Sequence, residues 1–181
     1  KAVALDPLVP IFLNGKANAL ERLKRHEEAV PVRQAAYALA PDVGLFRSNL
    51  LRAYYAIDRL DEAEKFLDQT REMALANAKR NGANGDPQRI PRAFIRLKRN
   101  PDLAETIRKE LGDKDFQFMQ AWIGDDIDAR FKGLTENMDR HYSGVDPVAE
   151  LRSMRYAEYR KDPRYIRLLN KAGFDDEGNI R

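Results

Sequence analysis

The stretch that decides the fold is AIDRLDEAEKFL, residues 56–67, because an earlier stretch repeats its pattern. The earlier stretch is RLKRHEEAVPV, residues 22–32. Ala29 and Ala63 hold the same place in the two stretches and lie 34 residues apart. A fixed period of this size is typical of proteins in which stacked units bury one continuous core. The sequence therefore indicates a chain built by repetition.

Other pairs of similar residues keep the same offset of 34. They are Leu5–Leu39, Pro7–Pro41, Phe12–Phe46, Ala19–Ala53, Leu20–Tyr54 and Leu23–Ile57. Within each copy, apolar residues recur at helical spacing in two blocks separated by a polar turn, which predicts a hairpin of two amphipathic helices. In the second copy Asp61 is the predicted N-cap of the second helix. In the first copy Pro31 is expected in the opening turn of its helix.

A 34-residue helical hairpin with an early small residue in its second helix resembles the tetratricopeptide repeat. Ala29 and Ala63 match the small position of that pattern, Pro41 its closing proline, and Leu20 and Tyr54 its large residue. The chain departs from the pattern at Lys16, Leu51 and Leu75. The resemblance implies an all-α fold, a right-handed α-solenoid of such hairpins. The loss of the closing proline at Leu75 predicts a helix that continues to about Lys79 before NGANGDP ends it.

Three segments are predicted: two repeats in 1–80, two diverged hairpins in 81–143, and capping helices with a tail in 144–181. Gly112 is the expected stop of one helix in the second segment. The tail resembles the endings of repeat regions in bacterial multidomain proteins that carry an adenylate cyclase, winged-helix regulator or kinase domain. The residues of this match are Asp162, Pro163, Arg164, Tyr165, Leu168, Leu169 and Gly173. An end unit of this kind covers an apolar face that no further repeat buries.

Composition narrows the classes of function. The chain has 181 residues, no cysteine and a formal charge of +3, so disulfides, thiolate metal sites and cysteine nucleophiles are excluded. No apolar run approaches the roughly 20 residues that cross a bilayer. A reducing, cytoplasmic location fits this composition. The first residue is lysine and KAVALDP reads as a helix end, so we expect a piece of a longer protein, with any catalytic domain upstream.

No constellation typical of catalysis or of a metal site is recognisable. His26 and His141 lack zinc-helix spacing, and GDDID at 124–128 lacks the calcium-loop pattern and fits helix capping better. NGANG at 81–85 lacks the Lys-Ser/Thr of a phosphate loop. We therefore predict a non-enzymatic fragment with no cofactor and no metal.

Two surfaces are predicted to bind. The resemblance implies that the first helix of each unit lines a concave groove, and the corresponding exposed positions are Asn14, Asn18, Glu21, Ser48, Arg52 and Tyr55. Amide and guanidinium groups in such a groove can hold the backbone or carboxylate of an extended peptide. A second surface is a stripe at i, i+3, i+7 and i+10 on one helix, formed by Arg89, Arg92, Arg96 and Arg99. It is an anion-binding strip or, as we favour, a solvated helix face.

The resulting functional prediction is a protein–protein interaction scaffold, the C-terminal repeat part of a larger signalling or regulatory protein. Its partner is a protein or peptide segment. One alternative is an accessory region of an adenylate cyclase or transcriptional regulator whose basic stripe contacts nucleic acid or another anionic partner. A further alternative is self-association through apolar surface near Leu5.

Overall fold

The computed structural model describes residues 9–122, 126–140 and 161–175. Within these ranges the chain is all-α, with ten α-helices, a short 3₁₀-helix at Pro101–Leu103 and no β-strand. The helices are α1 Pro10–Arg22, α2 His26–Leu39, α3 Gly44–Ala56, α4 Leu60–Gln69, α5 Arg71–Arg80, α6 Arg89–Arg99, α7 Ala104–Leu111, α8 Asp113–Trp122, α9 Ile127–Arg140 and α10 Pro163–Lys171. None of the helices in the described part of the chain is both long and apolar enough to cross a membrane.

The chain divides into two compact units, residues 1–107 and 108–181. These units are defined by contacts within the chain. The predicted segments 1–80, 81–143 and 144–181 are defined by repeat units and stay a prediction.

The 34-residue period of the sequence is also a period of the backbone in unit 1–107. Helices α1 and α3 begin and end 34 residues apart, and α2 and α4 begin 34 residues apart. Both hairpin turns contain a left-handed residue, Lys24 with φ 58° and Asp58 with φ 54°. Each turn is closed by an equivalent backbone bond, from Arg25 N to Leu20 O (2.9 Å) and from Arg59 N to Tyr54 O (3.0 Å). The two hairpins are therefore copies in structure as well as in sequence.

Small residues allow the helices to pack closely at the repeated position. Ala29 and Ala63 are both fully buried, and a short side chain at such a position lets two helices approach closely. Phe46 packs with Leu13 and Ala36 of the preceding hairpin and is 7 % exposed. Its counterpart Phe12 is 37 % exposed.

Three expectations about local structure require comment. Asp61 is not the N-cap of α4, since the helix begins at Leu60 after Arg59; the Asp61 carboxylate instead accepts from Arg99. Pro31 lies in the second turn of α2 rather than the first. The continuation beyond α4 is confirmed, as α5 runs to Arg80, but a break at Thr70 separates the two helices.

Unit 108–181 is built around α9 and α10. Gly112, with φ 79°, follows α7 as predicted, and the Asp126 carboxylate caps α9 by accepting from Ala129 N (2.9 Å). The apolar core of this unit consists of Phe131, Leu134, Tyr165, Leu168, Leu169 and Phe174. The apolar residues of the sequence match, Tyr165, Leu168 and Leu169, therefore pack with Phe131 and Leu134 of α9.

The Asp162 carboxylate fixes the start of α10. It accepts from Arg164 N (2.8 Å) and from the Arg164 guanidinium at both of its oxygens (3.0 and 2.7 Å). Arg164 also donates to Asp128 (2.7 Å) and lies over the Phe131 ring. These bonds favour the charged carboxylate, so they lower the pKa of Asp162 to about 2.

We predict that replacing Ala63 by leucine destabilises the protein by about 1 to 3 kcal/mol, because the extra methylenes have no space. Urea unfolding measures this loss. Ala76→Leu is the control, since Ala76 is exposed on α5 and the change there should stay within about 0.5 kcal/mol. Equal stability of Ala63→Leu and wild type would show that the hairpins do not pack closely at this position.

The lowered pKa of Asp162 predicts that the N-terminal capping of α10 is lost in acid. The contribution of this carboxylate to folding is complete above its ordinary pKa of 3.8 and is lost as pH falls through about 2. An NMR titration of the Asp162 carboxyl carbon should show Arg164→Gln raising the midpoint toward 3.8. Arg167→Gln should raise it much less, because Arg167 acts only through its charge. An unchanged midpoint in Arg164→Gln would contradict the assigned cause.

Candidate functional site

The most unusual feature of unit 1–107 is a buried arginine. Arg33 lies on α2 and is 1 % exposed. Its Nε and Nη2 donate to Glu21 Oε1 on α1 over 3.0 and 2.9 Å. Its Nη1 donates to the Asn14 side-chain oxygen, and Nη2 also donates to Asn18 Oδ1 (2.6 Å). A buried charge is tolerated when it is paired and hydrogen-bonded, and here both conditions are met.

The same cluster joins the first helices of the two hairpins. Asn49 Nδ2 on α3 donates to Asn14 Oδ1 on α1 over 2.9 Å. We call the set Asn14, Asn18, Glu21, Arg33 and Asn49 the Arg33 network. It holds α1, α2 and α3 in one register, because each helix contributes at least one partner.

The Arg33 network also fixes the direction of two amides. Oδ1 of Asn14 accepts from Arg33 and Asn49, and Oδ1 of Asn18 accepts from Arg33. With the carbonyl side of each amide turned to the guanidinium, the NH₂ side faces away from it. Asn18 is half-buried, whereas Asn14 is buried.

The second hairpin has no copy of this network. The positions 34 residues after Asn14, Asn18, Glu21 and Arg33 hold Ser48, Arg52, Tyr55 and Leu67. Tyr55 and Leu67 are buried, so apolar packing replaces the ion pair at the equivalent place. The polar cluster is therefore particular to the first hairpin and is not required by the repeat geometry.

The six predicted groove residues separate into two groups. The expectation of exposure is wrong for Asn14, Glu21 and Tyr55, which are buried. Tyr55 packs on Phe94 of α6 and donates from its hydroxyl to Pro91 O (3.2 Å), and burial raises the pKa of its phenol. The reachable residues are Asn18 and Arg52, both half-buried, and Ser48, which is exposed and donates to Gly44 O (2.9 Å). Their binding role stays a prediction.

Arg33 was not predicted as part of the site. Periodicity places it on the buried stripe of α2, where an arginine is rare. The available signal was on α1, since Asn14, Asn18 and Glu21 recur at i, i+4 and i+7 and so share one face. A polar face of this kind, if turned inward, needs a cation to satisfy it.

The basic stripe, Arg89, Arg92, Arg96 and Arg99 on α6, has acidic neighbours on α4. Arg99 donates to Asp61 (2.6 Å) and to Glu64 (2.8 Å), and Arg92 donates to Asp68 (2.7 Å). Lys98 pairs with Asp58 over 2.8 Å. We call Asp61, Glu64 and Asp68 the acidic row. Arg92 and Arg99 of the stripe are thus ion-paired with a neighbouring helix, which neither of the two sequence interpretations described.

Other sequence candidates gain no role. The segment 81–85 forms an exposed turn with left-handed glycines at 82 and 85, and His141 lies outside the described residues. Among the described residues, no group of three or more His, Asp or Glu side chains could hold a metal ion.

No family model, curated protein or solved structure matches the chain. Membership of the tetratricopeptide family therefore stays a prediction, and the site is interpreted from its own geometry.

We predict that Glu21→Gln destabilises the protein by about 3 to 5 kcal/mol, because Arg33 keeps its buried charge without a counter-ion. The double variant Glu21→Leu with Arg33→Met removes both charges. It should lose less stability than the single variants Glu21→Leu and Arg33→Met lose when their losses are added. Urea unfolding of the full cycle measures the coupling. Additive losses would show that the pair contributes no interaction energy of its own.

Proposed function

We propose that this chain is a non-catalytic protein-interaction module that binds an extended segment of a protein partner. The binding surface is the α1–α3 face, defined by Asn18, Ser48 and Arg52. The hairpins belong to a right-handed solenoid of tetratricopeptide type in which α1, α3 and α6 form the inner layer. The exact 34-residue backbone period and the side-chain contacts α1–α3 and α3–α6 support this arrangement.

The observation that carries the proposal is the hydrogen bond between Asn14 and Asn49. It sets α1 and α3 side by side at one level. Asn18 lies one turn beyond Asn14, and Arg52 one turn beyond Asn49, so the two side chains reach the same level on adjacent helices. Both residues are half-buried, so their polar side chains have fewer available conformations than fully exposed groups.

The chemistry of this face suits an acceptor-rich ligand. The Asn18 amide turns its NH₂ group away from Arg33, and Arg52 carries a guanidinium, a group that has only N–H donors and no acceptor. Carbonyl oxygens along an extended peptide, or a carboxylate, are the groups such donors bind. Because Arg33 holds the Asn18 amide in place, less conformational entropy is lost on binding.

The setting we propose is the cytoplasmic, C-terminal repeat region of a larger bacterial regulatory protein. The tail supports it in part, since Tyr165, Leu168 and Leu169 pack on α9 as a capping helix would. We place the binding site on the α1–α3 face rather than on the basic stripe, where Arg92 and Arg99 pair with carboxylates of α4.

A displayed random-peptide library tests the proposal. We expect selected peptides to lose about tenfold or more in affinity for Asn18→Ala with Arg52→Ala, as expected when hydrogen bonds to a charged donor are removed. Fluorescence anisotropy measures the Kd. The matched control is Arg71→Ala with Asn84→Ala, the same residue types at exposed positions on or after α5 and outside the face. Equal affinity of both variants, or selection of no peptide, would contradict the proposal.

A further inference from the structure

The basic stripe on α6 meets the acidic row on α4 in an antiparallel arrangement. Arg99, at the end of α6, contacts Asp61 and Glu64 near the start of α4, whereas Arg92 contacts Asp68 near its end. Bases at a helix C-terminus and acids at an N-terminus both interact favourably with the helix dipoles. The carboxylates are spaced at i, i+3 and i+7, so one face of one helix supplies all three.

The acidic row is not a consequence of the repeat. At the equivalent positions of α2, 34 residues earlier, stand Glu27, Val30 and Gln34, so only one carboxylate is present. That single carboxylate accepts from Arg59 over 2.8 Å. Of the two equivalent helices, only α4, which contacts the basic stripe, carries the acidic row. Stacking of the hairpins does not require it.

The ion pairs between α6 and α4 are exposed, and neither Arg92 nor Arg99 binds a single carboxylate through two hydrogen bonds. The Asp61 side chain is 92 % exposed, and exposed pairs of this kind contribute little to folding. Arg99 donates from Nη2 to Asp61 and from Nη1 to Glu64, and Arg92 donates from Nη2 to Asp68. Arg92 Nε is buried and has no hydrogen-bond partner among the described residues. The preferred two-point match of an arginine with one carboxylate is thus not used here.

The helix itself does not depend on these pairs. Ala93, Phe94 and Ile95 of α6 are buried, and Gln88 donates to Leu67 O (2.7 Å) just before the helix. Apolar contacts and this hydrogen bond hold α6 independently of the exposed ion pairs.

From these contacts we infer that the basic stripe is a docking surface for an acidic protein segment, which the acidic row covers within the same chain. We expect the ligand to be a segment whose carboxylates lie about one helical turn apart, because Asp61, Glu64 and Asp68, which Arg92 and Arg99 already bind, have that spacing. The surface is distinct from the α1–α3 face. An incoming segment replaces the exposed carboxylates of α4 at the arginine heads and leaves the packing of α6 unchanged.

A released variant tests this inference directly. Asp61→Asn, Glu64→Gln and Asp68→Asn together remove the covering charges. The probe is a synthetic helical peptide with three glutamates at the i, i+3 and i+7 spacing, and anisotropy gives its Kd at low and at physiological salt. We expect the released variant to bind about tenfold tighter than wild type, with affinity falling as salt rises. Adding Arg92→Gln and Arg99→Gln should abolish the gain.

Three controls make the outcome specific. Glu27→Gln with Glu62→Gln and Glu72→Gln changes the net charge equally but away from the stripe, and should bind like wild type. Asn18→Ala with Arg52→Ala should also bind the acidic probe like wild type, which separates this surface from the α1–α3 face. Asp61→Asn alone should give a smaller gain in affinity for the acidic peptide. Because this side chain is exposed, the single variant should fold normally and keeps the test valid if the triple variant folds poorly.

Two results would overturn the inference. Equal affinity of wild type, the released variant and Asp61→Asn would show that the acidic row covers nothing. Tighter binding of the released variant to a double-stranded oligonucleotide than to the peptide would make phosphate, rather than an acidic protein segment, the preferred ligand.

Discussion

The organisation of the first hairpin depends on the buried charge of Arg33. A guanidinium removed from water needs acceptors, and α1 supplies three side chains at helical spacing that all turn toward it. Because Asn14 also accepts from Asn49, the same charge fixes the position of α3. One residue thus sets the register of three helices and the direction of the amide groups at the proposed binding face.

This polar interior lies within a scaffold that is otherwise apolar and repetitive. The buried alanines at 29 and 63 permit close helix packing, and the left-handed residues at Lys24 and Asp58 close both turns in the same way. In the second hairpin Leu67 and Tyr55 fill the space that Arg33 and Glu21 fill in the first. The repeat geometry therefore does not need the ion pair, and a buried ion pair is in general weak evidence for added stability.

The sequence was sufficient to predict the features that depend on local spacing. The all-α class, the two helical hairpins and the small buried residues at positions 29 and 63 follow from apolar periodicity and the 34-residue offset. It was not sufficient for features that depend on which helix faces which. Asp61 fits an N-cap by residue type, but its partner Arg99 lies 38 residues away in sequence and on another helix. Arg33 was missed for the same reason, since its partners belong to α1 and only tertiary packing brings them together.

The most direct test of the account is an NMR titration that follows the side-chain NH₂ signals of Asn18 and Asn14 during addition of a library-selected peptide. Preorganisation by Arg33 predicts that the Asn18 signal is sharp and single before peptide is added. It also predicts that this signal moves together with backbone signals of α1 and α3 as the peptide binds. Shifts confined to α6, or an Asn18 signal that does not respond to a bound peptide, would contradict the assignment of the α1–α3 face.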